Sequence, residues 1–549
     1  KGDLYKFEIK LRGGQTILKA DPYAFSREMR PGTASRVCSF DKFTWHDKKW
    51  IEERTETQAV DAPLNIYEVY LGSFLKPKDG RQYVNYKEIA KPLIDYVRKM
   101  HYTHVELLPV MEHLKDECLG YQIQGYYAAT SRYGEPEDLK YLIDQLHQAG
   151  IGVIMDFVPG YFPADENGLA NFDGSPLYEV KDERRRWYQN LGVLFFDMAS
   201  REVQNYLLGA AMYWVENFHA DGLKVVDVAS MLYLDYGRND GAYFSNIYGD
   251  NVNLEGVEFL RHLNAVIKKR NPGVITIAEE NSGWQNVTLP QEEEGLGFDY
   301  KWNNAWKHTF MNYMGLDPFF RSGHHDEITG TMLYSYSDKY ILPLDHDLFA
   351  HGKQSFLGQV SGEPEEQYAQ LRLAYTYRMT HPGKKLLFMG QDLGEPDTWS
   401  EIREVEWYLQ DSENGSKLQK CVADVNELYL KHPALYSLDD DAEGFAWVNA
   451  MNAKNCVLSY FRQGKPDAKG NAEKLLIVAN FANVMRISYV GVPEDRTYKE
   501  IFNTDAESYG GVGFVNPRAK KAMAKAADGY EYSLKVNMAP LSIMIFSVS

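Results

Sequence analysis

A chain of 549 residues with 44% hydrophobic side chains can bury a large core, and general disorder is excluded. Its net charge of −18 argues against nucleic acid and anionic membrane as main partners. No apolar run reaches the ~20 residues of a membrane span, and no signal peptide opens the chain. Aromatics make up 14%, with 39 Tyr and 10 Trp, which suits stacking on sugar rings as well as ordinary core. The four cysteines, Cys38, Cys118, Cys421 and Cys456, are too few and too scattered for a disulfide framework or a zinc site. They are expected to be buried free thiols, which places the protein in a reducing, cytoplasmic setting.

Residues 1–60 carry short alternating runs such as "LYKFEIKL" and read as the end of a small β module plus a linker. The start reads as mid-strand, so an upstream segment is expected. From residue 61 to 431 apolar strands alternate with amphipathic helical stretches. Strands are predicted at 64–72, 104–110, 151–160, 221–228, 274–280, 298–302, 339–345 and 384–390. Helices are predicted over 86–100, 136–150, 203–218 and 257–273. Strand and helix repeated about eight times is the pattern of an α/β (β/α)8 TIM barrel. A doubly wound sheet is the alternative that alternation leaves open. Over 432–549 the helices give way to short strands with polar turns, which predicts a C-terminal antiparallel β sandwich.

In such a barrel the chemistry sits at the C-terminal ends of the strands. Those ends carry Asp156, Asp227, Glu279, Glu280, His346 and Asp347, with His113 and Tyr121 in the loop after the second strand. A lone carboxylate there is more often a solvated loop charge; several at successive strand ends are not. Carboxylates without a nucleophilic Ser motif, a phosphate loop or HExxH point to glycoside chemistry with no metal.

These residues lie in motifs that resemble bacterial 1,4-α-glucan (glycogen) branching enzymes of the α-amylase superfamily, glycoside hydrolase family 13. The similarity runs through "KADPYAFSREMRPGTASRV" (19–37), "DAPLNIYEVYLGSF" (61–74), "ELLPVMEH" (106–113), "GYQIQGYYAATSRYG" (120–134), "ASMLYLDYGR" (229–238) and "HGKQSFLG" (351–358). The resemblance implies a retaining transfer from α-1,4 to α-1,6 linkage, through a glucosyl-enzyme ester and without cofactor. Its implied ligands are α-1,4-glucans: glycogen, amylose and maltooligosaccharides.

Carried over residue by residue, Asp156 matches the structural Asp and Glu279 the acid/base. His346 and Asp347 match the sugar-binding His and the transition-state-stabilising Asp, and Tyr121 the aromatic platform. Where the family has a sugar-binding His, this chain has Tyr161. Where it reads R-V-D-A-V-A-S-M, this chain reads Lys224-Val225-Val226-Asp227-Val228-Ala229-Ser230-Met231. Val226 therefore stands at the nucleophile position and Lys224 at that of the neighbouring Arg. The family Ser before His346 is Asp345, and a family Met-His-Asp is Lys307-His308-Thr309.

Val cannot form a glucosyl ester, and losing a covalent nucleophile costs on the order of 10⁶ in kcat by analogy with serine proteases. With no anion at 226, Glu279 loses one reason to stay protonated near neutrality. The expectation is a catalytically impaired member that still binds α-glucan, with an active enzyme of glycogen metabolism as a candidate partner. On a regular strand Asp227 points away from the site when Val226 points toward it. An inserted residue at Val226 would return Asp227 to the site as a shifted nucleophile and restore an active enzyme. A structural partner without glucan affinity is the third reading.

Overall fold

The computed structural model describes residues 1–39, 43–238 and 241–548. Eight parallel strands form a closed barrel: β1 (Asn65–Val69), β2 (His104–Leu107), β3 (Gly152–Phe157), β4 (Gly222–Val225), β5 (Ile275–Ala278), β6 (Tyr300–Trp302), β7 (Tyr340–Leu344) and β8 (Lys384–Phe388). Each predicted strand contains one of them. The order around the barrel is the order along the chain, with no reversal point, so the doubly wound alternative falls. Nearly every residue of these strands is buried, because a barrel strand faces side chains within and helices without.

The four predicted helices form as α2 (Tyr86–Lys99), α3 (Pro136–Gln148), α4 (Arg201–Asn217) and α5 (Leu254–Arg270), and α1 (Lys48–Thr57), α6 (Asn304–Gly315), α7 (Pro364–Thr380) and α8 (Glu413–Lys431) are helices that the sequence reading did not name. Local chemistry fixes their starts. Pro136 opens α3, and Glu135 with Asp138 forms a reciprocal capping box. Ser200 caps α4 by accepting from the Val203 N–H at 3.4 Å. Among the described residues no helix is long and apolar enough to cross a membrane.

By contact density the chain divides into two units. The first holds Lys1–Gln58, Val69–Asp95 and His104–Trp302; the second holds Ala59–Glu68, Tyr96–Thr103 and Asn303–Ser549.

In the first unit, a charged cluster lies at the foot of β4. Asp221 immediately precedes the strand and is fully buried. Its Oδ2 is 2.8 Å from His147 Nε2 on α3, and its Oδ1 accepts from Trp50 Nε1 of α1 at 2.8 Å. Arg54 of α1 lies 3.6 Å from it. His147 Nδ1 is in turn 2.8 Å from Asp47, which also meets His219 at 2.7 Å. Burial alone would push the His147 pKa down, but the Asp221 and Asp47 carboxylates raise it to about 9. The next residue, Gly222, has no side chain for a steric reason. A Cβ there would lie 2.9 Å from Ile275, its ladder partner on β5.

In the second unit, the C-terminal region has strands β9 (Phe445–Asn452), β10 (Val457–Gln463), β11 (Lys474–Asn480), β12 (Arg486–Val492), β13 (Thr497–Asn503), β14 (Lys520–Lys521), β15 (Tyr532–Met538) and β16 (Ser542–Val548). They form a six-stranded sheet in the order β9-β10-β11-β16-β13-β14 and a two-stranded sheet β12-β15. Val448, Leu476, Val478 and Phe546 of the larger sheet pack with Val490, Leu534 and Val536 of the smaller in one core. Helix α7 is tied to this region. Arg462 donates to Thr380 O at 2.8 Å, Thr380 and Tyr460 hydroxyls meet at 2.7 Å, and Arg372 donates to Thr504 O at 3.0 Å.

Candidate active site

Lys224 organises the strand ends of the first unit. The ladder pairs it with Asp156 on β3 and Ile277 on β5, and its side chain is fully buried. Its Nζ lies 2.8 Å from Asp156, 3.4 Å from Glu106 and 3.6 Å from Glu279. It also sits 4.0 Å from the centre of the Trp302 ring. Three carboxylates converge on one ammonium, and a buried cation is held only with such partners. Tyr121, half-buried, donates its hydroxyl to Asp156 Oδ2 at 2.6 Å. Glu279 keeps 17% of its side chain exposed, so it reaches solvent from beside the Lys224 ammonium.

The course of β4 beyond Val225 decides where the next two side chains go. The pairing with both neighbours runs without a shift from Gly222 to Val225. Val226 extends the ladder toward β3 by donating its N–H to Phe157 O at 2.9 Å. Val226 is buried in the turn that directly follows the strand. Toward β5, the Glu279 N–H donates to Val225 O at 3.0 Å, and Glu279 O accepts from Val228 at 2.9 Å. A regular parallel ladder would take that last bond from Asp227. Asp227 is instead the residue left out, with a left-handed φ of 50°. The irregularity therefore lies at Asp227, and the insertion at Val226 that a shifted nucleophile calls for is not in the ladder.

The left-handed backbone also overturns the expectation that Asp227 points to the surrounding helices. Alternation holds only for extended residues, and Asp tolerates the left-handed region. The Asp227 carboxyl interacts with the hydroxyls of Tyr188 and Tyr236. One of its oxygens, Oδ2, is buried without a hydrogen-bond partner among the described residues. Burial pushes its pKa up to about 7, with Glu280 adding to the rise and the two tyrosines opposing it. The Tyr188 ring packs at 5.5 Å and 80° against Tyr161, on the short strand Tyr161–Pro163 after β3. Asp227 and Tyr161 thus both adjoin Tyr188. Glu280 turns away to Lys301, 2.8 Å off, and to the Ser282 N–H at 2.6 Å.

His113 is fully buried. Its Nδ1 pairs with Met111 O at 2.9 Å, and Nε2 has no partner among the described residues. Burial, reinforced by Arg132, lowers its pKa to about 4, so the ring is neutral and Nε2 is an acceptor.

The second unit carries its own cluster. Glu68 at the end of β1 takes both donors of His346: the backbone N–H at 2.8 Å and Nδ1 at 2.7 Å. That grip fixes the ring and turns Nε2 toward Asp347, 3.6 Å away and 49% exposed. Beside it, Lys307 of α6 and Asp345 form a buried ion pair at 2.7 Å. Both residues depart from the family wording, and here they neutralise each other.

Sequence reasoning named Lys224, Asp156, Glu279 and Tyr121 separately, and the structure brings these four together. Glu106 and Trp302 went unnoticed, although an acid within the apolar run "HVELLPV" was a usable signal. Tyr188 ends a two-residue strand and Tyr236 lies in a turn, and no periodicity points to either.

Comparison with known proteins places this architecture. The α-amylase catalytic domain matches residues 69–191, and the α-amylase C-terminal all-β domain matches 447–549. The chain is 44% identical to the 1,4-alpha-glucan branching enzyme GlgB of Butyrivibrio fibrisolvens, over 99% of this chain and 85% of that protein. It is 43% identical to the 1,4-alpha-glucan branching enzyme GlgB 2 of Clostridium perfringens strain 13, over 100% of this chain and 82% of that one. Among solved structures, the pullulanase from Bacillus acidopullulyticus superposes with a TM-score of 0.72 at 15% identity, covering 100% of this chain and 68% of that one. At that identity the likeness speaks for the fold alone.

Proposed function

The chain belongs to the 1,4-α-glucan branching enzyme family of the α-amylase superfamily, glycoside hydrolase family 13, and we propose that it keeps the family's α-glucan binding with catalysis lost or nearly lost. The observation that carries this reading is Val226. It matches the nucleophile position of the family pattern, is buried, and donates its N–H to Phe157 O at 2.9 Å.

A retaining transfer needs one carboxylate to attack the anomeric carbon and one protonated carboxyl to release the leaving oxygen. Glu279 is placed for the second task, and an isopropyl group cannot do the first. Lys224 holds its ammonium 3.6 Å from Glu279. Lysine also lacks the planar fork with which arginine would orient a carboxylate bidentately.

Binding draws on other groups. Tyr121 offers a half-buried ring steadied by Asp156, and His346 is oriented by Glu68. Aromatic faces and fixed polar groups suit a neutral polyhydroxylated chain, and the net charge of −18 disfavours anionic ligands. In this reading the protein acts on glycogen metabolism by occupying glucan chains, beside an active branching enzyme in the cytosol.

A second reading keeps activity through Asp227. What favours it is the carboxyl's raised pKa and its partner Tyr236, whose own pKa Glu279 also helps to raise. Two assays on the intact protein separate the readings. Amylose treated with it should keep its iodine absorbance and gain no α-1,6 ends, while its migration in a glycogen gel should be retarded. Branching at an ordinary rate, abolished by Asp227→Ala, would replace the first reading with the second. Unretarded migration would leave a structural partner without glucan affinity.

A further inference from the structure

We infer that Tyr188 is a built-in plug: its ring fills the place of the reactive sugar, so the intact chain takes an α-glucan only beside that place. Tyr188 thereby determines which saccharides bind. The inference deepens the α-glucan reading above and rests on it.

The place of the sugar is marked by side chains already described. Tyr161 matches the position of the family's sugar-binding His, Val226 that of the nucleophile and Glu279 that of the acid/base. Tyr188 packs on Tyr161 at 5.5 Å and 80°. Its hydroxyl meets the carboxyl of Asp227, the residue after Val226. Tyr236 brings a second hydroxyl to Asp227 and packs on Tyr188 at 5.7 Å and 64°. It also lies within electrostatic reach of Glu279. One phenol ring therefore bridges the His position and the neighbour of the nucleophile position, with Glu279 one side chain further on. A phenol is a flat ring tipped by a hydroxyl, close in size to one glucose unit. It gives an aromatic face and a hydrogen bond to the groups that would otherwise meet the sugar.

The local sequence makes room for this ring. Gly237 has a left-handed φ of 66°, and a Cβ there would collide with the Tyr188 ring. Phe195 stacks on the ring at 5.0 Å and 13°. Only 7% of Tyr188 stays exposed as a result. Tyr161 is itself one of the rings that hold the plug, so the change from His and the presence of the ring go together.

The anchorage of the plug is slight. Tyr188 ends the strand Trp187–Tyr188, which has two ladder pairs with Val193–Phe195 and lies at the edge of a three-stranded sheet. Residues 189–192, which follow, form an exposed turn. A ligand that needs the place must wait for the ring to leave, and its apparent affinity falls by the fraction of molecules with the ring out. A long glucan lying on the flanking surface does not meet that cost.

Calorimetric titration tests this with two probes: acarbose, whose ring mimicking the reactive sugar must enter the place, and maltoheptaose. The forms are the intact chain, Tyr188→Ala, Tyr188→Phe and Gly237→Ala, each checked for fold by circular dichroism. Maltoheptaose should bind every form. Tyr188→Ala should tighten acarbose by about tenfold or more, while Tyr188→Phe, which keeps the ring, should stay near the intact chain. Gly237→Ala, which expels the ring by collision, should act in the direction of Tyr188→Ala and covers the case in which that variant does not fold. A ring with a purely structural role would give no gain of affinity on removal. If maltoheptaose binds but neither Tyr188→Ala nor Gly237→Ala tightens acarbose, the plug fails and the α-glucan reading stands. An equal gain in Tyr188→Phe also overturns the plug, because the ring is then not the obstacle. If the opened variants bind both probes and the intact chain binds neither, the plug stands and glucan binding by the intact chain fails. Absence of binding to every form overturns both.

Discussion

The two ends of strand β4 answer the same physical problem in opposite ways. At its foot, Asp221 is buried with a histidine, an indole and an arginine around it. At its head, the Val226 side chain offers no polar atom, and Asp227 leaves one buried oxygen without a partner among the described residues. Five residues separate Asp221 from Asp227. The ionic scaffold at one end of the strand and the candidate site at the other are separate, because barrel stability and barrel chemistry occupy opposite faces.

The sharpest attack on the foot is Asp221→Ala. Removing one member of a buried ionic cluster leaves its partners uncompensated and costs about 3–5 kcal/mol. Chemical denaturation should register that loss; a change within ~0.5 kcal/mol, the size of an ordinary surface substitution, would break the comparison.

At the head the expected sign is reversed. The native Asp227 carboxyl holds its proton to about pH 7, whereas its ordinary pKa is 3.8. The native state then binds more protons than the unfolded chain across that interval, so the group costs stability that grows as pH rises through it. Asp227→Asn, which has no charge to bury, should raise stability at pH 8 by up to about a few kcal/mol, seen as a higher Tm, and change it little at pH 4. A lower Tm at pH 8 would mean that the carboxylate is well paired after all.

The smallest effect is the pH slope of the foot. His147 rises from 6.5 to about 9 on folding, so its contribution is complete below about pH 6.5 and fades as pH climbs through 9. Melting temperature should decline over that window, and His147→Gln should flatten the decline. An unchanged slope would remove His147 from the cluster's account.

The barrel was legible in the sequence because a strand buried on both faces is a short apolar run, and all eight runs were visible. So was the antiparallel C-terminal region, where the helical period stops near residue 432. The expectation of a lost nucleophile at Val226 can be read only against a family pattern, since a valine at a strand end is otherwise ordinary. Three features were hidden for physical reasons. The direction of Asp227 depends on one left-handed φ, which periodicity does not encode. Lys307 and Asp345 were each visible as departures, but their pairing joins residues 38 positions apart. The Tyr188–Tyr161 packing joins two short strands outside the barrel whose composition gave no hint of it.

The central claim is that three replacements, Val226, Lys224 and Tyr161, together hold catalysis down on an otherwise complete barrel. The direct test is branching of amylose by Val226→Asp/Lys224→Arg/Tyr161→His beside the unmodified chain, followed as falling iodine absorbance and new α-1,6 ends. The account predicts that the unmodified chain stays near background and that the triple variant gains at least about 10³-fold, with Val226→Asp alone gaining less. An unmodified chain that already branches amylose as fast as the triple variant would contradict it.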